Sequence, residues 1–472
     1  MMAQTLFEKL WNLHTVSDLG DGEYLLHIDR IFLHERTGGI ALQNVAERGL
    51  KVRFPSQVFC TMDHIVDTFP GRGDATLMPS GREFIETTRA AAQAAGIHLF
   101  DIRHERQGIV HVVSPEQGIA LPGLTLVCPD SHTCTLGGLG LLAWGIGSTE
   151  AEHALVTGTL RVHRPKTMRV TFHGNLAPGV TAKDMALHLI GKYSSSGGKG
   201  CAIEFAGPVI RELPIEARLT LCNMAVEFSA FTGMVAPDEK AIEYVHGRPF
   251  APAGSELESA VTHWRSLHSD EDAEFDYELA VDCADISPSV TWGTSPQHVE
   301  PITGTVPEPE TESDPVKRSS MESALDYMGL EPGTPIEDIR IDAAFIGSCT
   351  NARLSDLREA ANYLQGRHVA DWVKAVLVPG STPVKKAAEA EGLDKIFEAA
   401  GFEWRESGCS MCLYAGGETF GPGKRVISST NRNFEGRQGP GTRTHLASPV
   451  TVAASACAGY IRSADPTTAR KA

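Results

Sequence analysis

Three of the ten cysteines in this chain have a spacing that suits a metal centre. Cys409 and Cys412 form a Cys-x-x-Cys pair, and Cys349 lies upstream of them without a pair of its own. Closed zinc sites and electron-transfer clusters take four protein ligands, whereas three thiolates leave one metal position open. Because an open position lets water or substrate reach the metal, the set predicts a catalytic Lewis acid. For the Cys-x-x-Cys pair alone, a redox dithiol or a chance spacing is the competing interpretation.

The residues around Cys349 predict how its thiol is held. The apolar run 341–346 is typical of a buried strand, and residues 347–348 are typical of the turn that ends it. Apolar residues then recur at the spacing of one helix face through residues 354–364. Cys349 is therefore expected at a helix N-terminus, where free N–H groups and the macrodipole favour a thiolate.

Two pairs of acidic and histidine residues follow apolar runs directly. Asp63 and His64 come after one run, and Asp130 and His132 come after another. In α/β sheets, ligand-binding groups collect at the carboxyl ends of strands, and a carboxylate beside an imidazole suits proton transfer to or from a bound hydroxyl. The alternative for each pair is a turn cap or a satisfied histidine. Two pairs in equivalent settings favour an acid–base site.

A loop near the end of the chain combines two guanidinium groups with glycines and amides. It spans residues 431–439 and contains Asn431, Arg432 and Arg437. Arginine forks bind carboxylates in a bidentate manner, so this loop predicts a site for an acidic substrate. A solvated basic loop is the alternative.

The composition excludes several classes of protein. Hydrophobic residues make up 42% and charged residues 21% of the chain, as in ordinary globular proteins. The net charge of -17 repels phosphate backbones and argues against nucleic acid as a partner. A membrane helix needs about 18 consecutive apolar residues, and no apolar run in this sequence approaches that length. The first residues also lack the pattern of a signal peptide, so a cytoplasmic protein is expected. The glycines at 137–147 do not form the fingerprint of a dinucleotide-binding fold, and the loop 194–200 does not match a phosphate-binding loop. Nucleotide binding is therefore not expected.

Strand-like and helical patterns alternate along the chain and predict an α/β fold with largely buried strands. An amphipathic helix opens the chain at residues 5–13, and the apolar run 108–113 is included among the strand-like segments. The predicted domains are 1–163, 164–283 and 320–472. Residues 284–319, rich in Pro, Ser, Thr and acidic residues, are expected to form a surface connection.

Taken together, these motifs resemble the aconitase superfamily, and most closely its isopropylmalate-type members. The resemblance runs from about residue 5 to residue 462 and rests on the segments 108–111, 130–133, 202–205, 347–351, 408–412 and 431–437. It implies three α/β domains of the aconitase type, without the swivelling fourth domain of full-length aconitases.

The resemblance also implies a role for each candidate residue. Cys349, Cys409 and Cys412 match the ligands of a [4Fe-4S] cluster whose fourth iron carries the substrate hydroxyl. The residues matching the catalytic groups around the iron-bound water and leaving hydroxyl are Asp63, His64, His111, Asp130 and His132, with Glu204 also lining the site. The residues matching substrate contacts are Ser131, Asn431, Arg432 and Arg437. His34 lies near a further contact position.

The implied reaction is that of a hydro-lyase acting on a di- or tricarboxylic acid. Water leaves a malate-type acid and returns at the neighbouring carbon through a cis-unsaturated diacid, as in the isomerisation of 2- and 3-isopropylmalate in leucine biosynthesis. In the family, a serine base and further arginines lie in the fourth domain. Two-subunit members supply that domain as a separate small subunit, so such a subunit is the expected partner.

One departure from the family pattern lies next to the expected site. Residues 130–137 read Asp-Ser-His-Thr-Cys-Thr-Leu-Gly, whereas isopropylmalate-type members usually have Asp-Ser-His-Thr-Ser-Thr-His-Gly. Another substituted malate, such as citramalate or dimethylmalate, is therefore an alternative substrate. Two other classes compete: an RNA-binding regulator in the cluster-free form, which the net charge opposes, and an electron carrier, which needs a fourth ligand such as Cys134 or Cys201.

Overall fold

The computed structural model describes residues 3–464. The strands are β1 (Thr15–Gly20), β2 (Glu23–His27), β3 (Arg30–His34), β4 (Val58–Thr61), β5 (His98–Phe100), β6 (Thr125–Cys128), β7 (Leu142–Gly145), β8 (Thr159–His163), β9 (Lys166–His173), β10 (Cys201–Ala206), β11 (Thr232–Met234), β12 (Tyr277–Asp282), β13 (Ser289–Thr291), β14 (Val299–Pro301), β15 (Ala343–Ile346), β16 (Lys374–Leu377), β17 (Phe402–Trp404), β18 (Arg425–Ser428) and β19 (Arg443–Leu446). The α-helices are α1 (Leu6–His14), α2 (Gly38–Glu47), α3 (Gly81–Ala95), α4 (Val110–Glu116), α5 (Ser148–Thr157), α6 (Ala182–Tyr193), α7 (Pro208–Glu212), α8 (Ile215–Asn223), α9 (Glu239–Val245), α10 (Ser255–Arg265), α11 (Pro315–Met328), α12 (Leu354–Leu364), α13 (Thr382–Ala390), α14 (Leu393–Ala400) and α15 (Pro449–Ala458).

The chain folds into two compact units. The first unit consists of residues 3–66, 73–174 and 196–282, and the second consists of residues 67–72, 175–195 and those from 283 onward. The short segment 67–72 thus belongs to the second unit although both flanking segments belong to the first.

The first unit contains two parallel sheets and a small antiparallel one. The strand orders are β5-β4-β3-β6-β7 and β11-β10-β9-β12 for the parallel sheets, and β1-β2-β8 for the antiparallel sheet. Every residue of β4 and β6 is buried, as expected of strands covered on both faces of a parallel sheet. These two strands flank β3, so the loops that follow all three leave the same edge of the sheet.

The second unit is built on one parallel sheet in the order β17-β16-β15-β18-β19, together with the antiparallel hairpin β13-β14. All of β15 is buried. Cys349 follows β15, Asn431 follows β18, and Cys409 follows β17. The predicted cluster ligands and the arginine loop therefore leave the carboxyl edge of a single sheet, where ligand sites of α/β folds collect.

The predicted α/β fold class is confirmed, with one parallel sheet within each of the predicted domain ranges. The boundaries 1–163, 164–283 and 320–472 stay a prediction. The opening helix is also confirmed, since α1 begins after Thr5 in a capping box with Glu8. Within residues 3–464, none of the helices combines the length and apolarity needed to cross a membrane.

Two local predictions are wrong. The run 108–113 enters helix α4 rather than a strand, and Val110, Val112 and Val113 are all buried in it. A short apolar run that is buried on every side does not distinguish helix from strand by periodicity. Residues 284–319 are not a bare surface connection, because they form the β13-β14 hairpin and bury Trp292 and Val306 in the second unit.

Candidate active site

A buried carboxylate binds the backbone of the turn that contains Asp63 and His64. Glu35, which follows β3, accepts the backbone N–H groups of Asp63, His64 and Ile65 at 3.0, 2.8 and 2.5 Å. His34 and Glu35 converge with Asp63 and His64 so that one ligand atom of each lies within 4.8 Å of the others. Because the Glu35 oxygens already bind this turn, we interpret Glu35 as its anchor and not as a metal ligand.

His64 lies between two carboxylates. Its Nδ1 contacts Asp63 Oδ1 at 2.6 Å, and its Nε2 lies 3.2 Å from Asp130 Oδ2. Burial acts to raise the pKa of Asp63, but the contact with His64 outweighs it and the pKa is lowered. Asp130 behaves in the same way: burial opposes ionisation, yet His111 and the neighbouring histidines hold its pKa well below the usual value. Both carboxylates are therefore ionised around His64.

Two further histidines complete this part of the site as neutral groups. The His34 ring stacks on His64 with 4.1 Å between centroids, and its Nε2 contacts the carbonyl oxygen of Pro129 at 3.1 Å. His111 Nε2 lies 3.3 Å from the hydroxyl of Thr133. Burial lowers the pKa of both His34 and His111 to about 4. The His34 Nδ1 atom is buried and has no hydrogen-bond partner among residues 3–464, which leaves it available to a bound molecule.

His132 is oriented by two acidic side chains from different segments. Asp130 caps the 3₁₀ turn Ser131–Leu139 by accepting the His132 backbone N–H at 2.8 Å. The His132 Nε2 atom contacts Glu227 Oε1 at 2.8 Å, and both side chains are almost completely buried. Ser131 is exposed, and its hydroxyl lies 3.5 Å from His132 Nδ1. Both His64 and His132 are thus paired with a carboxylate.

Glu204 does not belong to this group of contacts, contrary to the expectation from sequence. Its carboxylate accepts the Ser269 hydroxyl at 2.6 Å and binds the backbone of Leu6, and burial raises its pKa. Glu204 lies on β10, a strand of the other parallel sheet, where it ties the start of α1 to that sheet. The glutamate that contacts a site histidine is Glu227. The motifs singled out in the sequence do not include its segment.

The turn that carries Cys349 differs from the predicted helix N-terminus. Helix α12 begins at Leu354 with Arg353 as its N-cap, so Cys349 lies in the preceding turn and not in the first helical turn. Ser348 adopts the left-handed conformation, with φ at +83°. The Arg353 guanidinium donates to the Cys349 carbonyl oxygen at 2.8 Å. The thiol position is therefore set by a strained turn and an arginine clamp.

The thiols of the three predicted cluster ligands are buried, and two of them share polar neighbours. The Ser348 hydroxyl lies 3.1 Å from Cys412 Sγ and 3.9 Å from Cys349 Sγ. The Asn431 amide contacts the same two sulfur atoms, with Nδ2 at 3.6 Å from Cys349 Sγ and Oδ1 at 3.9 Å from Cys412 Sγ. One hydroxyl and one amide therefore bridge sulfur atoms that are distant in sequence.

The surroundings of these sulfur atoms are those of metal-bound thiolates. The Asn431 amide and the Arg437 guanidinium direct N–H groups at the sulfur atoms of Cys349 and Cys412. Cluster irons are bound by separate thiolates, and hydrogen bonds to the sulfurs tune such clusters. The three buried thiols and the N–H donors around them fit that group.

The arginine loop contributes one buried guanidinium with unused capacity. Arg437 is 7% exposed, and its Nη2 lies 3.9 Å from Cys412 Sγ. Its Nε is buried and has no hydrogen-bond partner within the part of the chain that the structure describes. A donor of this kind suits a substrate carboxylate oxygen. Arg432 is half-buried, and its role as a second carboxylate ligand stays a prediction.

Lys183 lies in the same unit and was not singled out from the sequence. Its ammonium group is fully buried and donates to the carbonyl oxygens of Ser429, at 2.7 Å, and of Thr430. Burial lowers the pKa of Lys183 to about 7. These bonds fix the backbone immediately before Asn431. A lysine in an amphipathic helix is ordinarily solvated, so its type and position gave no indication of this contact.

This chain is similar to known proteins over nearly its full length. A family model described as Aconitase family (aconitate hydratase) matches residues 8–459. A protein of Bradyrhizobium diazoefficiens named 3-isopropylmalate dehydratase large subunit 1 is 54% identical over 458 residues, which cover 97% of this chain and 96% of that protein. Among solved structures, the holo-form of aconitase X from Thermococcus kodakaraensis matches with a TM-score of 0.46 and 15% identity, over 87% of this chain and 84% of that one.

Proposed function

Because this chain belongs to the aconitase family, we propose that it is the large subunit of a cytoplasmic hydro-lyase that interconverts 2- and 3-isopropylmalate in leucine biosynthesis. The observation that supports this most strongly is the 54% identity, over 97% of the chain, to a relative named as such a large subunit. The two histidine–carboxylate pairs and the buried arginine are the groups that dehydration of a hydroxy acid requires.

Protonation of the leaving hydroxyl falls to the histidine–carboxylate pairs, and removal of the carbon-bound proton falls to a base of the small subunit. Dehydration removes a weakly acidic proton next to a carboxylate and expels hydroxide, which needs a proton to leave as water. His64 can hold protons on both ring nitrogens because Asp63 and Asp130 contact one nitrogen each. The His132 ring has one close carboxylate contact, from its Nε2 to Glu227. A carboxylate on each ring orients it, so that the ring can deliver a proton to the departing hydroxyl and recover it during rehydration.

Binding and orientation of the substrate carboxylate fall to the arginine loop. Arg437 offers a buried Nε donor, and a guanidinium that is shielded from water binds a carboxylate strongly. Asn431 is held by contacts to two cysteine sulfurs, so its amide has a fixed orientation beside that guanidinium. A positive charge near the substrate carboxylate also lowers the cost of removing the adjacent proton.

We propose that Cys349, Cys409 and Cys412 hold a [4Fe-4S] cluster. When bound, such a cluster supplies a Lewis acid for the hydroxyl that leaves. Replacing any of these three cysteines with serine should remove iron and sulfide from anaerobically reconstituted protein. Replacing Cys60 or Cys283, which are equally buried, is the control and should leave the metal content unchanged. Stoichiometric zinc without sulfide would contradict the proposal.

We propose in addition that turnover requires a small subunit, since the relative is named as a large subunit. The test mixes reconstituted chain with candidate small subunits and follows the unsaturated diacid by ultraviolet absorbance, across a panel of 2-substituted malates. Isopropylmalate should be the best substrate, with saturable dependence on the small subunit. Faster turnover of citramalate or dimethylmalate would revise the substrate, and full activity of the single chain would contradict the need for a partner.

A further inference from the structure

A buried carboxylate, Glu418, lies at the centre of a polar network in the second unit. It is 4% exposed and accepts hydrogen bonds from three other side chains. The donors are the Thr68 hydroxyl at 2.8 Å, the Ser410 hydroxyl at 2.5 Å and the Arg405 guanidinium at 3.1 Å. The backbone N–H of Thr68 binds the same carboxylate at 2.5 Å. A buried carboxylate with this many donors is a fixed point to which separate segments can be tied.

One of these segments is 67–72, which follows shortly after Asp63 and His64 in the sequence. Thr68 in this segment binds Glu418, and the backbone carbonyl oxygen of Thr68 also accepts the N–H of Glu406 at 2.8 Å. The Arg405 guanidinium, at the end of β17, lies over the ring of Phe69 at 4.3 Å. Arg72 donates to the carbonyl oxygen of Ser407 at 2.5 Å. The segment is therefore packed against the residues that lead from β17 to Cys409.

The second segment is the Cys-x-x-Cys turn. Ser410 lies between Cys409 and Cys412 and has φ at +48°, a conformation that residues with a side chain rarely adopt. Its hydroxyl bond to Glu418 is the contact that compensates this strain, and the turn is closed by the Cys412 N–H on the Cys409 carbonyl at 2.9 Å. The orientation of both thiols thus depends on how Ser410 is held.

We propose that Glu418 is a positioning residue for the cluster: it fixes the Cys-x-x-Cys turn through Ser410 and ties that turn to segment 67–72 through Thr68, so that the thiols are pre-oriented before iron binds. This role rests on the proposed cluster and extends it to a residue outside the ligand set. Groups that orient metal ligands typically change metal affinity about 10- to 100-fold when they are replaced.

The decisive variant is Glu418→Gln, which keeps the shape but turns one acceptor into a donor that faces three other donors. Its matched control is Glu403→Gln, because Glu403 also pairs with Arg405, at 2.5 Å, but touches neither Ser410 nor Thr68 in the contacts of the described chain. Under chelator challenge of the reconstituted protein, Glu418→Gln should lose iron about 10-fold faster than wild type or more, with an altered electron paramagnetic resonance spectrum. Glu403→Gln should behave as wild type. Equal loss from both variants, or none from either, would overturn the proposal.

Ser410→Gly separates the hydroxyl contact from backbone strain. Glycine relieves the positive φ, so a turn that depends on backbone geometry alone would hold iron at least as well as wild type, and that result would overturn the proposal. If the bond to Glu418 positions the thiols, Ser410→Gly should release iron about as fast as Glu418→Gln. The glycine variant also keeps the test decisive if Glu418→Gln fails to fold.

A cluster-free measurement distinguishes failure of this inference from failure of the proposed function. In protein without iron, the alkylation rates of Cys409 and Cys412 by iodoacetamide report how well the turn is formed. Glu418→Gln should raise both rates about 10-fold relative to Glu403→Gln, whether or not the wild type takes up a cluster. Wild type that never binds iron would contradict the proposed function alone, whereas unchanged alkylation would contradict the role of Glu418.

Discussion

Replacing Glu227 with glutamine should reduce catalysis with little effect on the fold. The Glu227 carboxylate contacts His132 Nε2 at 2.8 Å, and the two side chains are 8% and 5% exposed. Glutamine keeps the size and one oxygen acceptor but removes the negative charge beside the ring. The histidine should therefore remain in place and transfer a proton less effectively during dehydration.

The size of the effect follows from the burial of this contact. A hydrogen bond to a charged group contributes about 1.5 to 3 kcal/mol, and water does not replace it at a buried site. Since each 1.36 kcal/mol changes a rate about 10-fold, kcat should fall by roughly 10- to 150-fold. KM should change little, because the carboxylate acts on the histidine and not on the substrate. The free energy of unfolding should fall by less than about 2 kcal/mol.

The assay is turnover of isopropylmalate by the reconstituted chain with its small subunit, at matched iron content. Glu204→Gln is the control, because the family resemblance assigns Glu204 to the site while the structure gives it Ser269 and Leu6 as partners. Glu204→Gln should keep kcat within about 2- to 3-fold of wild type, well inside the loss expected for a buried charge contact. If Glu204→Gln lost activity and Glu227→Gln did not, the reasoning from these contacts would be refuted.

Three further predictions concern binding, packing and pH. Arg437→Lys removes the planar fork and the buried Nε donor, so transition-state stabilisation should fall by about 2 to 3 kcal/mol and kcat/KM should fall accordingly. An unchanged kcat/KM would show that this arginine does not bind the substrate. Gly137→Ala would place a Cβ 1.9 Å from a backbone carbonyl oxygen and should lower the free energy of unfolding in urea by about 1 to 3 kcal/mol, whereas Gly73→Ala, with open space around it, should not. Burial lowers the pKa of His14, but the contact with Asp29 outweighs it and the pKa is raised above 6.5. A histidine with a raised pKa stabilises the fold below about pH 6.5, and this stability is lost as the pH rises through the pKa of His14 in the folded protein. Asp29→Asn should therefore lower the free energy of unfolding more at about pH 5.5 than at about pH 8.5. Equal losses at the two pH values would count against this pairing.

The candidate site motifs could be singled out from the sequence because each combines a reactive residue with local signals. Asp63 and Asp130 follow buried strands, and their histidines are adjacent or two residues on, so one short segment contains both the group and its position. Arg437 lies in a loop that is unusual in composition. The same reasoning was wrong for residues 284–319, where few apolar residues are still enough to bury strand β13 together with Trp292 and Val306.

The residues that the sequence did not indicate act through partners from distant segments. Glu227 reaches His132, Lys183 binds the backbone of Ser429, and Glu418 binds Thr68 from far along the chain. A glutamate or lysine at such a position has the same local pattern as a solvated surface residue. Its partner is set by the packing of separate elements, so only the coordinates reveal the pair.

The sequence by itself thus determined the α/β architecture, because strand-end motifs and hydrophobic alternation are local properties of the chain, and its similarity to the aconitase family determined the reaction class. The tertiary structure alone decided which carboxylate supports His132, and it placed Glu204 with Ser269 and Leu6. The physical reason is that burial makes an ionised group depend on a partner within about 3 Å. That distance is created by folding and is not written in the spacing of residues along the chain.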